Sequence, residues 1–194
     1  YAIERWTRIP VEVALAHEFR YSDPIADART LVVSISQSGE TMDTLMAVKH
    51  ARELGALTLS ICNTHGSTIP RESDAVLYTH AGPEVAVAST KAFYAQVAAG
   101  VLLAAALTEE LGAPDTGERA AMLAALRDLP DALTRVLEDR GRIGETAREL
   151  APGRRYWAVV GNGPNRIAAA EVRIKLSELC YKSIACDVTE DKKH

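Results

Sequence analysis

The apolar and polar positions of the front half alternate between two periods, and each change of period is marked by a turn residue. Leu31-Val32-Val33-Ser34-Ile35 is a nearly continuous, β-branched apolar run of strand length, which predicts a buried strand. From Met42 to Leu54 the apolar residues Leu45, Met46, Val48, Ala51 and Leu54 recur at helical spacing, and Gly55 ends the pattern. Leu57 to Cys62 and Ala75 to Tyr78 read as further strands, and Val11 to Ala14, behind Pro10, as a short one. Ser89 to Leu107 predicts a long Ala-rich helix. Strand, helix, strand at this spacing implies a parallel sheet with helices on both faces.

Gly112-Ala113-Pro114 marks a boundary. Beyond it the pattern predicts helices at Gly117 to Leu126, Asp131 to Glu138 and Ile143 to Leu150. The strand–helix alternation then restarts: a strand at Tyr156 to Val160, a glycine loop from Gly161 to Asn165, a helix from Arg166 to Tyr181 and a strand from Ser183 to Val188. The fold class expected is therefore α/β with doubly wound parallel sheets in two subdomains, residues 1–111 and 112–194. Tyr1 reads as the tail of a helix and Thr189 to His194 as a charged loop, so both subdomains are expected to be truncated pieces of a longer polypeptide.

Apolar residues at 47% and charged residues at 25% fit an ordinary globular core and exclude a disordered chain. The net charge of −4 offers no general attraction to nucleic acid. Cys62, Cys180 and Cys186 are odd in number and lack CxxC spacing, which suits reduced thiols in a cytoplasmic protein. The longest apolar run, Ala95 to Leu107, is too short to span a bilayer, so no membrane association is expected. His17, His50, His65 and His80 show no metal-ligand spacing, and neither a metal nor a cofactor is expected.

The sharpest chemical feature is Ser36-Gln37-Ser38-Gly39-Glu40-Thr41, between a strand and a helix start. A helix N-terminus offers unpaired N–H groups and partial positive charge. With the donors of Ser36, Gln37, Ser38 and Thr41 it forms a neutral phosphate cradle; simple N-capping by one hydroxyl is the other reading. A Walker-type loop is excluded, as no Gly-x-x-x-x-Gly-Lys-Ser/Thr occurs. The glycine loop at Gly161 has Arg166 where a dinucleotide fingerprint has its third glycine, which leaves a nucleotide-dependent oxidoreductase poorly supported. Ser89 and Thr90 stand before a helix, as caps or as substrate contacts. Lys175 and Glu178 are three apart on one helix face, either as a solvated ion pair or as a general base with a cationic neighbour.

Glu18-Phe19-Arg20-Tyr21, Ser36 to Thr41 with Asp43-Thr44-Leu45, Ile61-Cys62-Asn63, Arg71-Glu72-Ser73-Asp74 and Val87-Ala88-Ser89-Thr90-Lys91-Ala92-Phe93 together resemble the glutamine:fructose-6-phosphate aminotransferase family, whose isomerase part is built of sugar-isomerase (SIS) domains. The resemblance runs over nearly the whole chain. It implies that Ser36, Gln37, Ser38 and Thr41 hold a sugar phosphate and that Val87 and Ser89 line the sugar. It further implies Glu178 as the base shuttling a proton between C1 and C2, Lys175 beside it, and His194 as the ring-opening group supplied by a neighbouring subunit of a homodimer. The substrate implied is fructose 6-phosphate and the product glucosamine 6-phosphate, with ammonia from a glutaminase domain of the same longer chain. Where the family often has Gly-Glu-Leu before its Lys-His, this chain has Glu190-Asp191-Lys192. A non-catalytic SIS module that senses a sugar phosphate is the alternative, and the Lys175/Glu178 pair speaks against it.

Overall fold

A computed structural model describes residues 1–114 and 116–193, which divide into two compact units, Tyr1–Arg119 and Ala120–His194. In the first unit α1 (Ala2–Thr7) and α2 (Ala16–Phe19) precede β1 (Leu31–Ser36), α3 (Met42–Glu53), β2 (Leu57–Cys62), α4 (Thr68–Glu72), β3 (Ala75–Tyr78) and α5 (Lys91–Glu110). The strands form a parallel sheet in the order β1-β2-β3, with Ser36 opposite Cys62 and Cys62 opposite Tyr78. The serine-rich loop and the histidine-bearing loops thus leave the same, carboxyl edge.

The carboxyl half of the central strand is closed on both faces, with Ser60, Ile61 and Cys62 each at 1% exposure or less. The edge strand β1 departs from the buried strand its composition predicts: Ser34 and Ser36 are buried, while Leu31 and Ile35 point to an open face, Ile35 at 55% exposure. An apolar run reports the sheet that a strand belongs to; here α3 packs against β1, while α5 packs on β2 and leaves the outer face of β1 open. On the closed side, Leu45 and Val48 of α3 meet Ile69 of α4 in the core. Val11 to Ala14 forms no strand; the Val11 amide bonds to the Glu4 carboxylate at 3.1 Å and Val13 is exposed.

Polar side chains within this sheet are paired with one another. Ser34 and Ser60 hydroxyls lie 2.7 Å apart, Ser60 bonds onward to Ser73, and the Ser73 hydroxyl donates to the Ile69 carbonyl. Asp74 accepts from both the amide (2.8 Å) and the hydroxyl (2.7 Å) of Thr58, which is 1% exposed. Each of these buried donors therefore has an acceptor, as burial requires.

α5 begins and ends two to three residues later than the expected Ser89 to Leu107, and with 20 residues it could by length and composition cross a membrane. It packs on α1 and β2 and buries Ala92, Ala99, Ala104, Ala105 and Thr108, the pattern of a helix on a sheet.

α6 (Glu118–Glu138) begins at the end of the first unit; the second unit continues with α7 (Arg140–Leu150), β4 (Ala158–Val160), α8 (Asn165–Cys180), β5 (Ala185–Asp187) and α9 (Thr189–Lys193). β4 and β5 pair in parallel, Val160 opposite Asp187. Two predictions fail here. α6 runs through Pro130 as one helix, since proline removes a single N–H and the Pro130 carbonyl gains the Thr134 hydroxyl at 2.9 Å. The charged segment after Val188 is a helical turn, held by Lys192 to Asp187 at 2.8 Å.

The Asp74 carboxyl is held below the usual carboxylate range, chiefly by its bond from the Thr58 side chain and then the Thr58 amide. A carboxyl depressed by folding contributes stability above its unfolded pKa and loses that contribution as pH falls through the folded value. We expect Asp74→Asn to lower the melting temperature at neutral pH and to flatten its fall on acidification below about pH 4. Parallel melting curves for the two proteins would refute the assignment.

Candidate functional site

The loop from Ser36 to Thr41 turns from the carboxyl end of β1 into α3. Gly39 takes φ +70°, in the left-handed region. It also passes so close to the next loop that a Cβ would stand 1.9 Å from the Ser67 Oγ and 2.9 Å from the Cys62 Sγ. Three bonds fix this approach: the Ile69 amide to the Gly39 carbonyl (2.9 Å), the Thr68 amide to the Glu40 carboxylate (2.8 Å) and the Thr64 hydroxyl to the Gln37 carbonyl (3.3 Å). Hydrogen bonding from Thr68 holds the Glu40 carboxyl below its ordinary range, so it is ionised at neutral pH.

The hydroxyls of this loop accept rather than donate within the protein. Ser36 Oγ receives the Gly39 amide at 3.0 Å and Ser38 Oγ the Glu40 amide at 3.2 Å. A hydroxyl whose lone pair is engaged this way keeps its O–H for another acceptor. Thr41 is the N-cap residue of α3, yet its side chain makes no capping bond. The Met42, Asp43 and Thr44 amides precede the first helical bond, from Leu45 N to Thr41 O at 2.9 Å, and so are the helix's unpaired donors. Simple capping therefore does not account for the four polar side chains. Ser36 is buried, Gln37 and Ser38 half-buried and Thr41 exposed, a gradient from sheet to solvent along one set of donors suited to an oxyanion.

The start of α5 is arranged differently. Neither Ser89 nor Thr90 caps it: Thr90, the N-cap residue, makes no side-chain bond, and Ser89 sits at φ +35°. Glu84 does the capping, its carboxylate accepting from the amides of Thr90 (3.0 Å), Ala92 (3.2 Å) and Ala86 (3.4 Å). These amides, Ala92 first, hold its carboxyl below the usual range. Sequence reasoning missed this role because Glu84 lies outside capping-box spacing. Val87 is 99% exposed on the same loop.

In the second unit Lys175 and Glu178 both lie on α8. Lys175 is paired with a residue that sequence reasoning did not single out, Glu171, at 2.7 Å across one helical turn. Both are largely buried, at 24% and 22% side-chain exposure, whereas Glu178 is exposed. The i,i+4 spacing of Glu171 and Lys175 was the available signal. The glycine loop before α8 serves close packing: a Cβ on Gly161 would stand 2.4 Å from the Asn165 carbonyl oxygen. Its neighbour Asn162 donates to the Thr189 hydroxyl (2.6 Å) and accepts the Thr189 amide (3.0 Å), tying the loop to α9. His194 lies outside the described residues. Among the described residues no group of three or more metal-ligating side chains occurs.

Comparison with known proteins bears on the family and the fold. The family model of the SIS domain matches residues 1–106. A glutamine–fructose-6-phosphate aminotransferase (isomerizing) of Streptomyces coelicolor is 56% identical over 181 residues, 93% of this chain and 29% of the relative. The one of Mycobacterium tuberculosis H37Rv is 53% identical over 183 residues, with the same shares. The chain thus spans 29% of the length of these curated relatives. Among solved structures, the C-terminal domain of glucosamine-fructose-6-phosphate aminotransferase from Francisella tularensis superposes with a TM-score of 0.93 at 29% identity, covering 100% of this chain and 55% of that one. Tagatose-6-phosphate ketose/aldose isomerase from Escherichia coli gives 0.71 at 18% identity over 99% of this chain and 52% of that one, a likeness of fold alone.

Two glycines separate the conformational from the steric demand of the site. Gly66 has φ +72° with nothing within 4 Å of the point where a Cβ would stand, whereas Gly39 has both the angle and the contact. Gly66→Ala should cost about 1 kcal/mol, and Gly39→Ala at least about 2 kcal/mol because packing strain is added. Urea denaturation of the two variants measures the difference; equal losses would show that the approach to Ser67 relaxes without cost.

Proposed function

The chain belongs to the SIS-domain family, and from that premise we propose that it is the isomerase portion of a glutamine–fructose-6-phosphate aminotransferase. What supports this reading most directly is the state of the serine loop: four side chains with donors to offer, beside the unpaired first amides of α3. An anion there gains hydrogen bonds and the helix field with no basic side chain required. The identity of over half with relatives named for this reaction supports fructose 6-phosphate as the substrate.

In this reading Ser36, Gln37, Ser38 and Thr41 hold the 6-phosphate, and Val87 and Ser89 line the sugar. Ammonia delivered by a glutaminase domain of the longer chain condenses with the C2 carbonyl and releases water. Glu178 then removes a proton from C1 and returns one to C2, through an enolamine, so that C1 becomes the aldehyde carbon and C2 bears the amine of glucosamine 6-phosphate. The exposure of Glu178 in this chain leaves its carboxylate open to a substrate. Lys175, engaged with Glu171, steadies the helix face on which Glu178 stands. His194 opens the sugar ring from a neighbouring subunit, which makes the working unit a homodimer, and the three free thiols suit a cytoplasmic setting.

Calorimetric titration with fructose 6-phosphate, beside unphosphorylated fructose, should show binding that requires the phosphate. Ser36→Ala should weaken it about tenfold, the worth of one charge-assisted hydrogen bond. Glu178→Gln should bind as before while exchange of the C1 or C2 hydrogen in deuterated water falls about a hundredfold or more. Binding of fructose and its phosphate alike would overturn the phosphate site, and undiminished exchange in Glu178→Gln would overturn the base.

A further inference from the structure

β2 and β3 run parallel with Cys62 opposite Tyr78, so the residues just beyond each strand emerge side by side at the carboxyl edge. This brings together two histidines that are far apart in sequence, His65 after β2 and His80 after β3. The His65 Nε2 stands 3.4 Å from the His80 Nδ1. Two imidazole nitrogens each about 2.0–2.1 Å from a tetrahedral zinc ion are about 3.3–3.4 Å apart. We propose that His65 and His80 form a two-histidine chelate for a late first-row divalent metal ion, with zinc as the reference case.

Each ring is held in place before any metal arrives. The His65 ring stacks on Tyr78, with centroids 3.9 Å apart and planes inclined by 20°. His80 takes φ +52°, a left-handed conformation unusual for a residue other than glycine. The turn that carries it is pinned by Asn63, whose side chain accepts from the Thr79 hydroxyl (3.0 Å) and the Ala81 amide (2.9 Å) and donates to the Gly82 carbonyl (2.7 Å). Asn63 immediately follows β2, so one side chain fixes the exit of β3 against the exit of β2. Ligands fixed in this way lose little freedom on binding.

Both histidines are exposed, so an ion can reach them from solvent. Imidazole nitrogen suits zinc, nickel and copper, and disfavours magnesium and calcium. Among the described residues no third histidine, cysteine or carboxylate joins the pair, so water fills the other positions and the ion exchanges readily. Without metal the two ring nitrogens stand at hydrogen-bond distance from each other, a contact that a bound ion replaces. The site lies one residue from Thr64, whose hydroxyl bonds to the Gln37 carbonyl of the serine loop, but it requires no sugar phosphate and stands apart from the proposed reaction.

Zinc chloride titrated into this chain and followed by proton NMR should shift the ring resonances of His65 and His80 and leave those of His17 and His50 in place. By calorimetry at neutral pH the ion should bind once per chain. His80→Asn, which tolerates a left-handed backbone, should lower the association constant about tenfold or more, and His65→Gln should do the same. Cys180→Ser, at an exposed thiol, should leave it unchanged. Shifts at other histidines, loss of binding in Cys180→Ser only, or wild-type affinity in His80→Asn would each overturn the proposal. Circular dichroism of His80→Asn confirms that any loss of binding belongs to a folded protein.

Discussion

The close approach of Gly39 to Ser67 and Cys62 is the contact on which the rest of the first unit's carboxyl edge depends. A side chain at Gly39 would occupy the position of the Ser67 hydroxyl, and without the approach the Ile69 amide and the Thr68 amide lose their acceptors in the serine loop. Those two bonds connect α4 to the start of α3, the pair of helices that share the core through Leu45, Val48 and Ile69. A missing Cβ thus aligns the donors of the loop and closes the hydrophobic centre beneath them at one stroke. Close packing transmits such local demands because little empty volume is available to absorb them.

The same economy of contacts explains how a central strand carries so many polar residues. Thr58 and Ser60 are almost wholly buried, and each is matched by a neighbour across the sheet or from the loop before β3. Unmatched, they would destabilise the sheet; matched, they fix which strand lies beside which. Asn63 repeats the device at the end of β2, with three bonds to the turn after β3. The sheet's register and the geometry of its exit loops therefore have one origin, side-chain hydrogen bonds between β2 and the segments flanking β3.

Much of this was legible in the residues. β1, α3, β2 and β3 fall within a residue of their expected limits, because period and turn residues agree there. The serine loop was legible as a donor cluster, and SIS-domain resemblance is matched by the family model. What escaped depended on partners distant in sequence. Leu31 and Ile35 look buried by composition, and only the packing reveals that α5 lies against β2 and leaves them open. Val11 to Ala14 has strand-like residues and no ladder to join. The five-residue α4 is too short to show a period. Pro130 punctuates the sequence without interrupting α6. Glu84 reaches its amides through a turn that no local spacing announces, and the Lys175–Glu171 pair was passed over for the more chemically suggestive Lys175–Glu178.

Glu84 has a wider meaning. α3 and α5 are the two long helices of the first unit, and each begins with amides that attract negative charge. The chain answers one of those attractions from within, by laying a carboxylate across two amides of the α5 start, Thr90 and Ala92, and leaves the other unanswered. A travelling anion therefore meets two similar doorways, one of which already has a permanent resident. On the proposed function, discrimination between them needs no shape recognition at all: a phosphate would settle at the serine loop because Glu84 already occupies the competing helix start.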